Sequence, residues 1–129
     1  MELSPGLAAT VELIVTGADT AVSLGSGDVP VLGTPRVLAL VEQATVAAVA
    51  PTLDAASTTV GTHVELDHLA PTLVGATVIA EAMLMEVNGR RLTFDVSVAN
   101  DAAVVARGRV ERVVVDRERF LAQAGAAPA

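Results

Sequence analysis

The clearest signal along the chain is a change of period. In "LAATVELIV", residues Ala9, Val11, Leu13 and Val15 share one parity, with Thr10 and Glu12 opposite. Alternation of this kind predicts a half-buried strand. "GSGDVP", residues 25–30, is a Gly/Pro-rich loop. The period then becomes helical. Thr34 and Pro35 form a helix-start signal, with Thr as cap and Pro in the first helical position, and the pattern runs to about Ala50 before Pro51. Apart from Arg36, Glu42, Gln43 and Thr45 this helix is apolar on nearly every face, so it is expected to be buried on most sides.

The second half reads as strand throughout. "TTVGTHVELDHLA" is followed by "ATVIAEAMLMEV" and then Asn88-Gly89, a pair that favours a type I′ hairpin. "RLTFDVSV" puts Leu92, Phe94, Val96 and Val98 on one face. Asn100-Asp101 turns the chain into "VVARGRVERVVV", and "DRERFLAQ" predicts a short terminal helix before a frayed tail within residues 121–129. One strand, one apolar helix and four antiparallel strands must combine so that the sheet wraps the helix. This is an α+β hot-dog fold: about five antiparallel strands around one long central helix, in a single domain spanning residues 1–129. A lone protomer leaves a sheet edge and part of the helix uncovered, so a homodimer or a higher oligomer is expected.

Composition narrows the function. The 129 residues carry a net charge of −7 and no cysteine, which removes disulfides, thiol catalysis and thiolate metal sites. All eight basic residues are arginine, and the only aromatics are two phenylalanines, Phe94 and Phe120. Nucleic-acid binding needs a basic face and often stacking rings, so it is set aside. No apolar stretch is long enough to span a membrane, the N-terminus lacks the pattern of a signal peptide, and a cytoplasmic location is expected.

Two ionisable residues stand out against this apolar background. Glu42 has Leu38, Ala39, Thr45 and Val46 as its neighbours at helical spacing; an unpaired carboxylate there is unfavourable and has a raised pKa, unless it reaches solvent or an Arg. Strand parity separates the two histidines. Thr62, Val64, Leu66 and His68 share one face, while His63 lies with Glu65 and Asp67 on the other. His68 is therefore the inward imidazole, either a core histidine satisfied by a carbonyl or a donor, base or acid near neutral pH. Thr34 is a third candidate, although Thr before Pro at a helix start is commonly only a cap. Eight helical residues advance ~12 Å. Thr34 as cap therefore cannot hydrogen-bond Glu42 of its own chain: either the helix starts later, or the two act across a dimer interface. Metal is not expected, since His63 and His68 face opposite ways and no carboxylates show ligand spacing. No G-x-S-x-G is present, and "LGSGDVPVLG" lacks the lysine of a P-loop.

The segments "GTPRVLALVEQA", "VGTHVELDHLAPTLVGATV", "EVNGRRLTFDVSV" and "ERVVVDRERF", from Val31 to Phe120, resemble hot-dog acyl-CoA thioesterases related to fluoroacetyl-CoA thioesterase. The resemblance implies hydrolysis of an acyl-CoA thioester by a homodimer, with no metal or organic cofactor. It places the active site on Thr34, Glu42 and His68, with Gly61 offering backbone near the thioester and Arg112 as a further substrate-binding residue. Two positions depart from the pattern. Asp28 stands where the fluoroacetyl enzyme carries a lid phenylalanine, and Val110 stands where it has the histidine of "H-E-R". Two rival readings remain: a hot-dog enoyl-CoA hydratase or dehydratase, for which "ELDH" could supply an Asp/His pair, and a non-catalytic acyl-CoA binding module.

Overall fold

The computed structural model describes residues 2–101 and 103–125. Five strands, β1 (Ala8–Ile14), β2 (Ser57–His68), β3 (Thr77–Asn88), β4 (Arg91–Asn100) and β5 (Ala103–Asp116), form one antiparallel sheet in the order β1-β3-β4-β5-β2. The sheet curls round the helix α2 (Thr34–Val49), which touches every strand. This is the expected hot-dog arrangement. A 3-10 turn at Gly17–Asp19 and a one-turn helix, α1 (Ala21–Leu24), lie between β1 and α2, and α3 (Arg117–Gly125) follows β5.

The core is the face that alternation marked. Leu92, Phe94, Val96 and Val98 of β4 are all buried, and they meet Val37, Leu40, Val41, Ala44 and Ala48 of α2 in one apolar cluster. Burial of such side chains contributes about 1.5–3 kcal/mol each. The helix is less enclosed than its composition suggested. Ala39, Gln43, Val46, Ala47 and Ala50 recur at helical spacing and are exposed, so one stripe of α2 faces outward. β2 pairs only with β5, so its other edge is open.

Local geometry differs from expectation in three places. Gly33 is the N-cap of α2, and Thr34 and Pro35 are its first two residues. Thr34 makes no capping hydrogen bond, because its hydroxyl is used elsewhere. The β3–β4 turn lies one residue later than Asn88-Gly89: Asn88 pairs with Arg91, which leaves Gly89-Arg90 as the two loop residues. Only Gly89 has positive φ (62°), the pattern of a type II′ rather than a type I′ turn. The terminal helix continues through Gly125, so residues 121–125 are helical; the rest of the expected frayed tail, residues 126–129, lies outside the described residues.

β2 also carries a bulge. Gly61 pairs with Arg112 and His63 with Glu111, so Thr62 is the extra residue. Side-chain parity reverses across it. Before the bulge Thr59 and Gly61 face α2; after it Val64 and Leu66 pack on the core and His68 reaches α2.

Candidate active site

Two pairs of side chains mark the junction of α2 with β2. The first pair is Thr34 with His68. Thr34 Oγ1 lies 2.8 Å from His68 Nδ1, a hydrogen-bond distance. In one tautomer the threonine O–H donates to Nδ1 and Nε2 carries the ring proton; in the other Nδ1–H donates and Nε2 is the acceptor. Nε2 itself is buried and has no hydrogen-bond partner among the described residues. A cavity of about 340 Å³ opens at this pair, walled by Gly27, Asp28, Val31, Leu69 and Pro71 besides Thr34 and His68 themselves. Thr34 is therefore bonded to His68 and does not cap the helix, and the Nδ1 partner of His68 is a hydroxyl, not a carbonyl.

The second pair is Glu42 with Arg112. Arg112 Nη1 donates to Glu42 Oε2 at 2.9 Å, so of the alternatives left open for this carboxylate the structure shows the pair with an arginine. Arg112 is only 6% exposed, and Thr59 holds its remaining edge: Nε donates to Thr59 Oγ1 at 2.9 Å and Nη2 to the Thr59 carbonyl at 3.0 Å. Burial pushes the Arg112 pKa down from its ordinary value, and the charge and hydrogen bond of Glu42 oppose that shift. An arginine remains cationic throughout. Gly61 completes the arrangement by what it lacks: a Cβ there would collide with Glu42 Oε2 and sit 3.3 Å from Arg112 Nη1. The carboxylate rests in the space that glycine leaves. The bonds of Arg112, expected as a substrate-binding residue, tie Glu42 to β2 and β5.

The two pairs do not meet within one chain. Thr34 and Glu42 lie on one continuous helix, eight residues apart, a rise of ~12 Å. Of the residues singled out in the sequence, Thr34 and His68 come together, Glu42, Arg112 and Gly61 come together, and His63 is exposed on the other side of β2. Val110, at one of the two departures, is buried in register with Phe94 and Val64.

Two supporting groups went unnoticed in the sequence. Thr59 is one; it lies two residues before Gly61, so strand parity places it on the same face. Asp19 is the other. Its main-chain oxygen accepts the Gly33 N–H at 2.9 Å and its carboxylate accepts Arg36 Nε at 3.0 Å, which grips the first turn of α2 beneath Thr34. Burial pushes the Asp19 pKa up, but the Thr16 N–H and hydroxyl, with Arg36, outweigh it and hold the carboxyl below its usual value. No short sequence pattern announces that contact, because the partners are 17 residues apart.

Comparison with known proteins identifies the family and the fold. A family model described as FlK, fluoroacetyl-CoA-specific thioesterase, matches residues 15–118. The fluoroacetyl-CoA thioesterase of Streptantibioticus cattleyicolor is 37% identical over 93 residues, which cover 72% of this chain and 67% of that protein. A solved structure of the fluoroacetyl-CoA thioesterase FlK superimposes with a TM-score of 0.92 at 29% identity, covering 100% of both chains. A Thermus thermophilus protein described as a thioesterase superfamily member superimposes at 0.88 with 25% identity, covering 96% of this chain and 92% of that one. The chain therefore belongs to the fluoroacetyl-CoA-specific thioesterase family, built on the hot-dog fold.

Proposed function

We propose that the protein hydrolyses a short- or medium-chain acyl-CoA thioester to the free acid and CoA. Thr34, Glu42 and His68 form the active site of a homodimer. The observation that carries this reading is the pairing of Thr34 with His68 at 2.8 Å beside a cavity, with Glu42 held at the same helix–strand junction by Arg112 at 2.9 Å. A fixed hydroxyl–imidazole pair and a fixed carboxylate are the groups that acyl transfer to water needs. Glu42 takes the proton of the attacking water, or attacks the carbonyl carbon itself, breaking the C–S bond to give a mixed anhydride that water then cleaves to the free acid. Oε2 is engaged by Arg112, while Oε1 accepts no hydrogen bond among the described residues. His68 polarises the carbonyl or returns the proton to the departing thiolate, and Thr34 orients the ring. Arg112 and Gly61 fix the carboxylate. No cofactor takes part.

The ~12 Å between Thr34 and Glu42 supports a site shared between two chains. One protomer supplies Thr34 and His68, and its partner supplies Glu42. The open edge of β2 and the exposed stripe of α2 are the surfaces the partner covers. No helix among the described residues is long and apolar enough to cross a membrane, and a cytoplasmic enzyme fits this reading. The hydratase reading is less well supported, since Asp67 is exposed and on the face opposite His68, so the two form no pair.

The test is turnover of an acyl-CoA panel by purified protein, followed with a thiol reagent. Hydrolysis is the wrong reading if no member is cleaved faster than by Glu42→Ala. Sedimentation or light scattering reads the dimer directly.

A further inference from the structure

Resting on the thioesterase reading above, we infer that Asp28 selects the acyl group: the site prefers a short acyl chain ending in a cation or a hydrogen-bond donor and disfavours one ending in a carboxylate. Asp28 lines the same cavity of about 340 Å³ as Thr34 and His68. It lies on the loop six residues before Thr34. Its carboxylate makes no hydrogen bond or ion pair among the described residues. Apart from Thr34 and His68, the remaining wall is apolar or uncharged, with Val29, Val31, Leu32, Leu69 and Pro71 supplying most of it. No arginine lines the cavity, and the chain has no lysine. The arginine of the neighbouring helix turn, Arg36, is already bound to Asp19. Within one protomer Asp28 is therefore, among the described residues, the one carboxylate residue lining the space next to the Thr34–His68 pair, and the Glu42 that a partner would bring there carries its own balancing Arg112.

The consequence follows from charge and size. The volume suits a small ligand. An acyl carboxylate placed there would meet Asp28 without a cation to separate them, whereas an ammonium or a hydroxyl would meet an unpartnered acceptor. Asp28 is exposed, so screening limits the discrimination to about fivefold per charge. The net charge of −7 acts on the phosphates of every CoA ester alike; only a local carboxylate distinguishes one acyl end from another.

The test compares kcat/KM for butanoyl-CoA, 3-aminopropanoyl-CoA and succinyl-CoA in the native protein, in Asp28→Asn and in Glu118→Gln. Glu118 lies in the exposed helix α3, so its change removes one charge away from the cavity. The expected native order is ammonium, then neutral, then carboxylate. Asp28→Asn is expected to narrow the ammonium-to-carboxylate ratio by up to about 25-fold, about fivefold for each of the two charge steps, and Glu118→Gln to leave it unchanged. The inference is overturned if butanoyl-CoA is cleaved but Asp28→Asn leaves the ratio where it was, or if Glu118→Gln shifts it equally. If the native protein cleaves none of the three esters nor any other acyl-CoA, the thioesterase reading falls and this inference falls with it, a result that the silent butanoyl-CoA arm distinguishes from loss of selectivity.

Discussion

Subunit complementation tests the central geometric argument. Thr34 and Glu42 occupy one unbroken helix, separated by a rise of ~12 Å, several times a hydrogen-bond length. If they serve one substrate carbonyl, they must come from different chains. Thr34→Ala and Glu42→Ala homodimers should each be deeply impaired, by about 10²-fold or more for loss of the base. A heterodimer of the two variants contains one site built from both mutated residues and one from the native Thr34 of one chain and the native Glu42 of the other. Random mixing makes about half of all dimers hetero, each with one intact site of two, so activity should return to about a quarter of native. Isolation of the heterodimer with two affinity tags should raise this to about half per dimer. The assay is thiol release from the best acyl-CoA, measured before and after subunit exchange. Activity that stays at the level of the parent homodimers would refute the composite site and assign both residues to the same chain.

Gly61→Ala places a methyl where the Glu42 carboxylate rests, and should lower kcat by about tenfold to a hundredfold with near-native secondary structure by circular dichroism; an unchanged kcat would dismiss the packing argument. Arg112→Met removes the guanidinium from a buried position and leaves Glu42 and Thr59 without their partner, and urea titration should show a loss of about 2–3 kcal/mol. Asp19 has a depressed pKa in the fold, so its contribution is present above the ordinary aspartate value of ~3.9 and is lost as pH falls through the lower folded value. The urea midpoints of the native protein and Asp19→Asn should therefore differ at neutral pH and converge in acid; a gap that persists in acid would rule out the carboxylate as its source.

The parts of the molecule governed by one period were legible in the sequence. β4 alternates without interruption, and its four inward residues are the four buried ones. α2 was recognisable from its start signal and length, and Glu42 stood out because its neighbours are apolar. Long-range partners were not legible. Glu42 and Arg112 are 70 residues apart, and nothing local to either announces the other. The resemblance had flagged both as site residues without pairing them. The exposed stripe of α2 misled for a different reason: Ala and Val on an outward face look the same in the sequence as Ala and Val in a core. The hairpin turn missed by one residue because Asn-Gly is a strong local signal, while the register is set by the cross-strand pairing of β3 with β4. Parity alone would have put Gly61 and His68 on opposite faces; only the bulge reconciles them.

That bulge makes β2 a strand in which length matters more than identity. Thr62 is exposed, and its only side-chain bond among the described residues is to the Glu111 carbonyl at 3.2 Å, so many residues could take its place. Removing it is another matter. A one-residue deletion would turn either Thr59 and Gly61 or Val64 through His68 outward, which would separate the cradle of the carboxylate from the imidazole. The interval between the glycine and the histidine thus behaves as a ruler: permissive in spelling, fixed in count.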